Sequence, residues 1–168
     1  REGNPDIFLY DLTRNSWRQI TDHFGIDTEP DWSPNGKSLL FTSNRSGSPQ
    51  IYQVNIRTKR VKRLTFEGTY NARARYSPDG KSIVFVHRRD GVFHIATQKI
   101  KSGKVRILTD TSLDESPTIS PNGNVIIYAT KKLDEDILAG ITIDGKTKFI
   151  LPSLQGETRE PAWSPILD

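Results

Sequence analysis

The sequence contains no cysteine and no methionine, and its apolar runs are short. Without cysteine, the chain can form neither disulfides nor cysteine-ligated metal sites. The longest apolar runs cover only a few residues, as at 125–128, so no segment is long enough to span a bilayer. Because the chain begins at Arg1 and has no methionine, we expect it to be a piece of a longer protein. The missing signal peptide therefore does not argue against secretion.

Aromatic residues make up only 9% of the chain, while 34% of its residues are hydrophobic and 26% are charged. This balance is typical of a folded globular chain, and the 12 glycines and 10 prolines favour a fold with many turns. The net charge is +4, with lysine and arginine spread along the chain. Their densest run, 57–63, has five basic residues and no interleaved aromatic, which indicates a solvated turn and strand edge. We therefore expect no nucleic-acid partner and no membrane insertion.

One short motif recurs along the chain. Ser33-Pro34-Asn35-Gly36 returns at 77–80 and 120–123, and a truncated copy begins at Ser164, so the serines lie 44, 43 and 44 residues apart. Two other landmarks keep a period of 44 residues. The first is the series Ile20-Thr21, Leu64-Thr65 and Leu108-Thr109, and the second is the series Ile7-Phe8, Ile51-Tyr52 and Ile95-Ala96. Proline at the second position and glycine at the fourth suit a tight turn. A period of about 40–45 residues that is rich in β-formers predicts propeller blades of about four strands.

The repeat predicts an all-β fold of propeller blades, each with four antiparallel strands named A to D from the central channel outward. We predict three complete blades at about 28–66, 72–110 and 115–152, with strands C and D of a partial blade at 6–21 and another partial blade at 159–168 that begins with strand A. The side chains expected to be largely buried are Trp32, Tyr76, Ile119, Phe41, Phe85 and Ile127. A β-sandwich of duplicated hairpins is the alternative, but it does not explain the common period.

Catalytic and metal-binding patterns are missing from the sequence. There is no G-x-S-x-G motif and no glycine-rich phosphate loop. The histidines His23, His87 and His94 lack metal-ligand spacing, and 134–136 lacks the glycine and distal glutamate of a calcium loop. We therefore predict a protein without enzymatic activity that needs no cofactor and no metal.

The loops from strand D of one blade to strand A of the next are the candidate binding site. Strand A is innermost in a propeller, so these loops lie at the mouth of the central channel. The four segments, 25–29, 70–73, 112–115 and 157–160, are polar and differ between blades, whereas the turns and B strands repeat. Recognition residues tend to lie on such loops. The predicted protein-binding residues are Thr28, Glu29, Asn71, Arg73, Asp114, Glu115, Arg159 and Glu160.

Several stretches resemble the TolB family of the bacterial Tol–Pal envelope system. The similar segments are the Trp-Ser-Pro-Asn-Gly-Lys turn and the stretches 27–34, 64–73, 113–117 and 160–165, so the resemblance covers essentially the whole chain. It implies the C-terminal portion of a periplasmic protein whose propeller has six blades in the full-length family. It also implies binding of the peptidoglycan-associated lipoprotein Pal, at a surface that includes the position of Thr28. A histidine that the family uses there lies upstream of this chain, and His23 does not replace it.

The same resemblance implies further partners and roles. The family communicates with TolA through an N-terminal region that this chain lacks. It supports outer-membrane integrity and constriction at cell division, and colicins exploit it for import. Two other interpretations remain open: the propeller domain of a prolyl-oligopeptidase-like peptidase that lacks its catalytic domain here, and a carbohydrate- or nucleic-acid-binding propeller that uses Trp17, Trp32 and Trp163.

An incomplete ring of blades leaves open sheet faces. We expect apolar residues such as Leu39, Val84 or Ile126 to be exposed at whichever blade ends the stack. The isolated chain should then self-associate, with 6–21 near 159–168 of a second copy, unless it forms part of a longer protein.

Overall fold

The described part of the chain consists of β-strands joined by turns and loops. A computed structural model describes residues 3–111, 113–133, 135–152 and 158–164. The strands are β1 (Phe8–Asp11), β2 (Ser16–Gln19), β3 (Asp27–Trp32), β4 (Ser38–Ser43), β5 (Gln50–Asn55), β6 (Val61–Arg63), β7 (Tyr70–Tyr76), β8 (Ser82–Arg89), β9 (Val92–Lys99), β10 (Val105–Ile107), β11 (Glu115–Ile119), β12 (Val125–Lys132), β13 (Glu135–Thr142) and β14 (Lys148–Ile150). No helix in these ranges is long and apolar enough to cross a membrane.

The strands form three four-stranded antiparallel sheets and one hairpin. The first sheet has the order β3-β4-β5-β6, the second β7-β8-β9-β10 and the third β11-β12-β13-β14, and β1 pairs with β2. Each sheet is therefore a simple meander of consecutive strands. This arrangement confirms the predicted all-β fold with blades of four antiparallel strands.

The segment after the third sheet differs from the expectation. Residues 158–164 form no strand, although strand A of a further blade was expected from residue 159. No strand in the described ranges pairs with this segment, and an isolated strand leaves its backbone groups without ladder hydrogen bonds. Residues 165–168 lie outside the described residues.

The core lies between the sheets. Leu40 and Ile51 of the first sheet pack against Tyr76 and Phe85 of the second. A second cluster joins the second sheet to the third, and a third cluster joins the β1–β2 hairpin to the first sheet. Leu39, Val84 and Ile126 are all buried in these clusters, so the expectation that one of them lies on an open face is wrong. Each of the three faces a neighbouring sheet or hairpin that covers it.

Burial follows the prediction for three of the six side chains that were expected to be largely buried. Phe41, Phe85 and Tyr76 are buried as predicted. Ile119 and Ile127 are only partly buried. Trp32 is 50% exposed, which is a correction. Tyr76, at the equivalent position one repeat later, packs in the cluster between the first two sheets and accepts a hydrogen bond from Gln53, whereas Trp32 lines an open cleft with residues of the β1–β2 hairpin.

The connections divide between two ends of the stacked sheets. The turns from strand A to B and from strand C to D lie at one end, which we call the turn end (12–15, 33–37, 56–60, 77–81, 100–104, 120–124 and 143–147). The connections from B to C and from D to A lie at the other end, the loop end. Within the recurring turn, Gly36 donates its N–H to the carbonyl of Ser33 at 2.8 Å and has φ of 66°, which explains the recurring glycine.

Candidate functional site

Each innermost strand carries a β-bulge at the loop end. The pairing of β3 with β4 is interrupted between Thr28 and Asp31, and the pairings of β7 and β11 break at the same place in the repeat. One residue in each bulge has a left-handed backbone: Glu29, Arg73 and Ser116 have φ of 56°, 56° and 52°. Glu160, at the next equivalent position, has φ of 51°. This conformation is unfavourable for residues other than glycine, and such bulges often re-aim a side chain at a functional site.

The four bulge residues are linked from one repeat to the next. The backbone N–H of Arg73 donates to Glu29 Oε2 at 3.0 Å, and Arg73 Nε lies 3.2 Å from Glu29 Oε1. The Arg73 guanidinium also contacts Ser116 and forms an ion pair with Glu160. Ser116 Oγ donates to Glu160 Oε1 at 2.9 Å. We call Glu29, Arg73, Ser116 and Glu160 the bulge network.

Electrostatics within the bulge network favour the charged forms. Burial raises the pKa of Glu160, but the hydrogen bond from Ser116 and the charge of Arg73 outweigh it, so that pKa is lowered overall. Burial likewise opposes the charge of Arg73, and the neighbouring Glu160 and Glu29 outweigh it, which raises the pKa of the guanidinium. The network therefore presents fixed charges at neutral pH.

A cleft opens beside the bulge network, between the second and third sheets. Its volume is about 270 Å³. The apolar part of the wall includes Tyr70, Phe93 and Leu113, and the Tyr70 and Phe93 rings meet edge to face at 5.4 Å. Glu115 and Arg159 belong to the polar part of the lining. Apolar walls with a few placed charges are typical of a pocket that takes a side chain or small ligand.

Charged residues of the third sheet complete the cleft. Arg159 Nη2 donates to Asp136 Oδ2 at 3.1 Å, and Lys131 Nζ lies 3.7 Å from Asp136 Oδ1. The hydrogen bond from Arg159 is the largest cause that lowers the pKa of Asp136. Sequence reasoning missed Lys131, Asp136, Tyr70 and Ser116 as members of this site.

Two of the predicted site residues have a different role. Asn71 and Asp114 are completely buried, so the prediction that they face a partner is corrected. Asn71 Nδ2 donates at 2.8 Å both to Gln50 Oε1 and to the carbonyl of Glu67. Asp114 accepts hydrogen bonds from three threonines, including Thr130 at 2.7 Å. Buried polar groups need such partners, and these two side chains hold the loops that carry the exposed residues.

The remaining predicted residues lie at the surface of the loop end. Thr28, Glu29, Arg73 and Glu115 are partly buried, and Arg159 and Glu160 are exposed. A repeated sequence signal could have located the bulges. Pro30, Pro117 and Pro161 follow bulge residues at the common period, and proline within a strand is confined to edges and bulges.

Acid is expected to weaken the fold through His87. His87 is 3% exposed, and its Nδ1 lies 2.8 Å from Asn71 Oδ1. Burial, the neighbouring His94 and Arg89 lower its pKa, against a smaller raising effect of Glu67. Because the unfolded pKa is about 6.5, the unfolded state binds more protons just below that pH, so the free energy of unfolding should fall as the pH drops from about 6.5 to about 5.

Urea unfolding across this pH range measures the effect. The His87→Gln variant should show a smaller decrease than the original chain. If the free energy of unfolding depended on pH equally in His87→Gln and in the original chain, the role of His87 would be contradicted.

Metal ligands do not converge anywhere in the described ranges: no group of three His, Cys, Asp or Glu residues there is placed to hold an ion. Of the acidic stretch 134–136, Asp134 lies outside the described residues, and Asp136 pairs with Arg159.

Comparisons with known proteins agree on one family. The family model for the TolB beta propeller domain matches residues 1–167. The Tol-Pal system protein TolB of Pseudomonas fluorescens is 51% identical over 63 residues, which is 38% of this chain and 14% of that protein. The corresponding protein of Pseudomonas aeruginosa is 48% identical over 63 residues, covering 38% and 15%.

Solved structures extend the likeness over the whole fold. The crystal structure of TolB from Acinetobacter baumannii has a TM-score of 0.91 and 49% identity, covering 98% of this chain and 42% of that one. This chain thus spans less than half of that relative. A puromycin-hydrolysing peptidase from Mycobacterium tuberculosis has a TM-score of 0.63 and 16% identity, covering 80% of this chain and 22% of that one, and so shares the fold alone.

Proposed function

The chain belongs to the TolB β-propeller domain family, and we propose that it is a non-catalytic, protein-binding propeller of a periplasmic Tol–Pal system. Its partner in this proposal is the lipoprotein Pal, bound at the loop end. The observation that carries the proposal is the bulge network, which aims charged side chains of successive repeats at one surface. The cleft beside it supplies apolar walls for an anchoring side chain of the partner.

The chemistry of the site supports binding rather than catalysis. Arg73 is shared by Glu29 and Glu160, so its charge is already compensated. The Ser116 hydroxyl donates a hydrogen bond to Glu160 and contacts Arg73, and no histidine takes part in these contacts. A nucleophilic serine needs a base that is itself oriented by a third group. The hydrogen bonds of Ser116 therefore support a positioning role.

Under this proposal, Pal binding connects the propeller to the other functions of the Tol–Pal system. We assign to the complete protein a link to TolA through a region beyond this chain, support of outer-membrane integrity and of constriction at division, and use by colicins during import. These roles rest on family membership. The likeness to a peptidase concerns the fold alone, so it does not support a peptidase role.

Substitution of Thr28 tests the proposed surface. Thr28→Arg places a long cation beside the bulge network, and we expect at least about fivefold weaker binding of the Pal periplasmic domain in calorimetry, because loss of a hot-spot contact costs more than about 1 kcal/mol. Glu115→Lys, which reverses a charge of the cleft lining, should act in the same direction. Surface changes of this kind leave the unfolding transition nearly unchanged.

Thr13→Arg is the matched control, because it makes the same replacement at an exposed position of the turn end. It should bind Pal with unaltered affinity. Unaltered affinity of folded Thr28→Arg and Glu115→Lys variants would overturn the proposed site, and loss of binding in Thr13→Arg would move it to the turn end.

A further inference from the structure

Charge is segregated between the two ends of the molecule. The turn end has nine basic residues and two acidic ones. Its basic residues are Arg14, Lys37, Arg57, Lys59, Arg60, Lys81, Lys101, Lys104 and Lys146, and its acidic residues are Asp79 and Asp144. At the loop end, the described connections between strands have one basic residue, Arg45, and five acidic ones, namely Asp22, Glu67, Asp90, Asp110 and Asp114. The described segment 158–164 adds one residue of each sign, Arg159 and Glu160. Solubility requires charge at the surface but not this separation by sign.

The positive charges of the turn end are available to a partner. All nine basic side chains are exposed. Only Arg14 and Lys146 form ion pairs within the described ranges, with Asp11 and Asp144 at 3.8 and 3.7 Å. The two aspartates of this end are engaged by their own turns. Asp79 Oδ1 accepts the backbone N–H of Lys81 at 3.0 Å, and Asp144 Oδ1 accepts that of Lys146 at 3.1 Å.

Backbone contacts join the turns into one continuous surface. Within each sheet the two turns are linked by a hydrogen bond: Ile56 N to Lys37 O and Ile100 N to Lys81 O, both at 3.0 Å, and Ile143 N to Asn124 O at 2.9 Å. Between sheets, a Cβ on Gly80 would lie 3.6 Å from the Pro34 ring, and one on Gly123 would lie 3.4 Å from Pro78. The seven turns have four or five residues each.

The surface also contains one open basic cleft. It lies between the second and third sheets, has a volume of about 600 Å³, and is lined in part by Lys99, Lys104 and Arg106. The Arg106 guanidinium is anchored there by hydrogen bonds to the carbonyls of Ile143 and Asp144. The three cations of the lining could accept a phosphate group, although Asp79 also lies in the lining.

We propose that the turn end is an electrostatic docking surface for a bilayer that contains anionic phospholipid. The cations are spread over the turns of the hairpin and of all three sheets, which suits an extended anionic surface. An acidic peptide would instead call for cations gathered along one groove. The surface lies opposite the proposed Pal site, so both can be occupied together. Docking is peripheral and involves no insertion of the chain.

The expected change in affinity for the membrane follows from the number of basic side chains removed. A basic side chain near an anionic membrane contributes about fivefold to the association constant. Removal of two such charges should therefore lower binding about 25-fold. Since the contacts are exposed, binding should weaken strongly between about 0.05 M and about 0.5 M salt.

Vesicle co-sedimentation tests the proposal. The probes are vesicles of equal parts phosphatidylcholine and phosphatidylglycerol, and vesicles of phosphatidylcholine alone. The chain should bind only the first, and the Lys101→Gln/Lys104→Gln variant should bind about 25-fold less tightly. The control variant Arg89→Gln/Lys132→Gln removes two exposed positive charges from the strand ends next to the loop end and should bind as the original chain does.

Three outcomes would overturn the proposal. Equal binding to both vesicle types would show that anionic lipid is not recognised. Equal loss in the two double variants would show that net charge, not the turn end, is responsible. Absence of vesicle binding at low salt, together with capture of an acidic protein through Lys101 and Lys104, would assign the surface to a protein instead. A failure of Pal binding leaves this result unaffected, because the two tests use opposite ends of the molecule.

Discussion

Replacement of Arg45 by methionine is expected to lower the free energy of unfolding by about 3–5 kcal/mol. The Asp27 carboxylate has no exposed side-chain surface, and Arg45 Nη2 donates to its Oδ2 at 2.6 Å. The other oxygen, Oδ1, has no hydrogen-bond partner in the described ranges. Arg45 is therefore the main compensation of a buried charge, and methionine keeps much of its packing against the rings of Phe41 and Tyr52 while removing that compensation.

Urea unfolding followed by circular dichroism measures this change. Arg89→Met is the matched control, since Arg89 pairs with Asp90 where both side chains are largely exposed, and exposed pairs contribute little. The double variant Asp27→Asn/Arg45→Met should recover part of the loss because it removes the buried charge as well. A loss below about 1 kcal/mol in Arg45→Met would contradict the assigned role of the pair.

Truncation of Phe85 to alanine is expected to lower the free energy of unfolding by about 3–5 kcal/mol. Phe85 is completely buried, in the cluster that joins the first and second sheets. Its removal leaves a cavity between two blades that rigid strands cannot refill. Because that cluster holds the sheets together, the loss should appear in a single cooperative transition.

Thermal and urea unfolding of Phe85→Ala are compared with Phe66→Ala. Phe66 is the same residue type but is 73% exposed at the loop end, and its truncation should change stability little. Similar losses in the two variants would show that the interface between the sheets does not carry the stability.

The period of the Ser-Pro motif was sufficient to predict the blades. Each copy closes a tight turn, and a turn recurring every 43 or 44 residues between apolar runs allows a repeated meander of short strands. The apolar B strands also predicted the burial of Phe41 and Phe85. The exposure of Trp32 could not be predicted in this way, because it depends on how much sheet lies opposite the side chain and not on its place in the repeat.

The sequence placed the candidate site in loops, but the structure places Thr28, Arg73 and Glu115 within strands β3, β7 and β11. Asn71 and Glu115 looked alike as polar loop residues, yet Asn71 is completely buried and Glu115 lines the cleft. Their difference arises from contacts with Gln50 and His87, which belong to other strands. No local pattern reveals such partners, because the distance between them along the chain is set by the fold.

The sequence alone determined the all-β blade architecture and the tight turns, since hydrophobic alternation and turn chemistry act over a few residues. Only the tertiary structure decided which polar loop residues are buried, how Arg73 joins Glu29 to Glu160, and that the basic turns share one surface. The contacts of Arg73 with Glu29 and Glu160 join residues 44 and 87 positions apart, which the stacking of successive sheets brings together. The free energy that holds them comes from burial between the sheets, which exists only once the blades have packed.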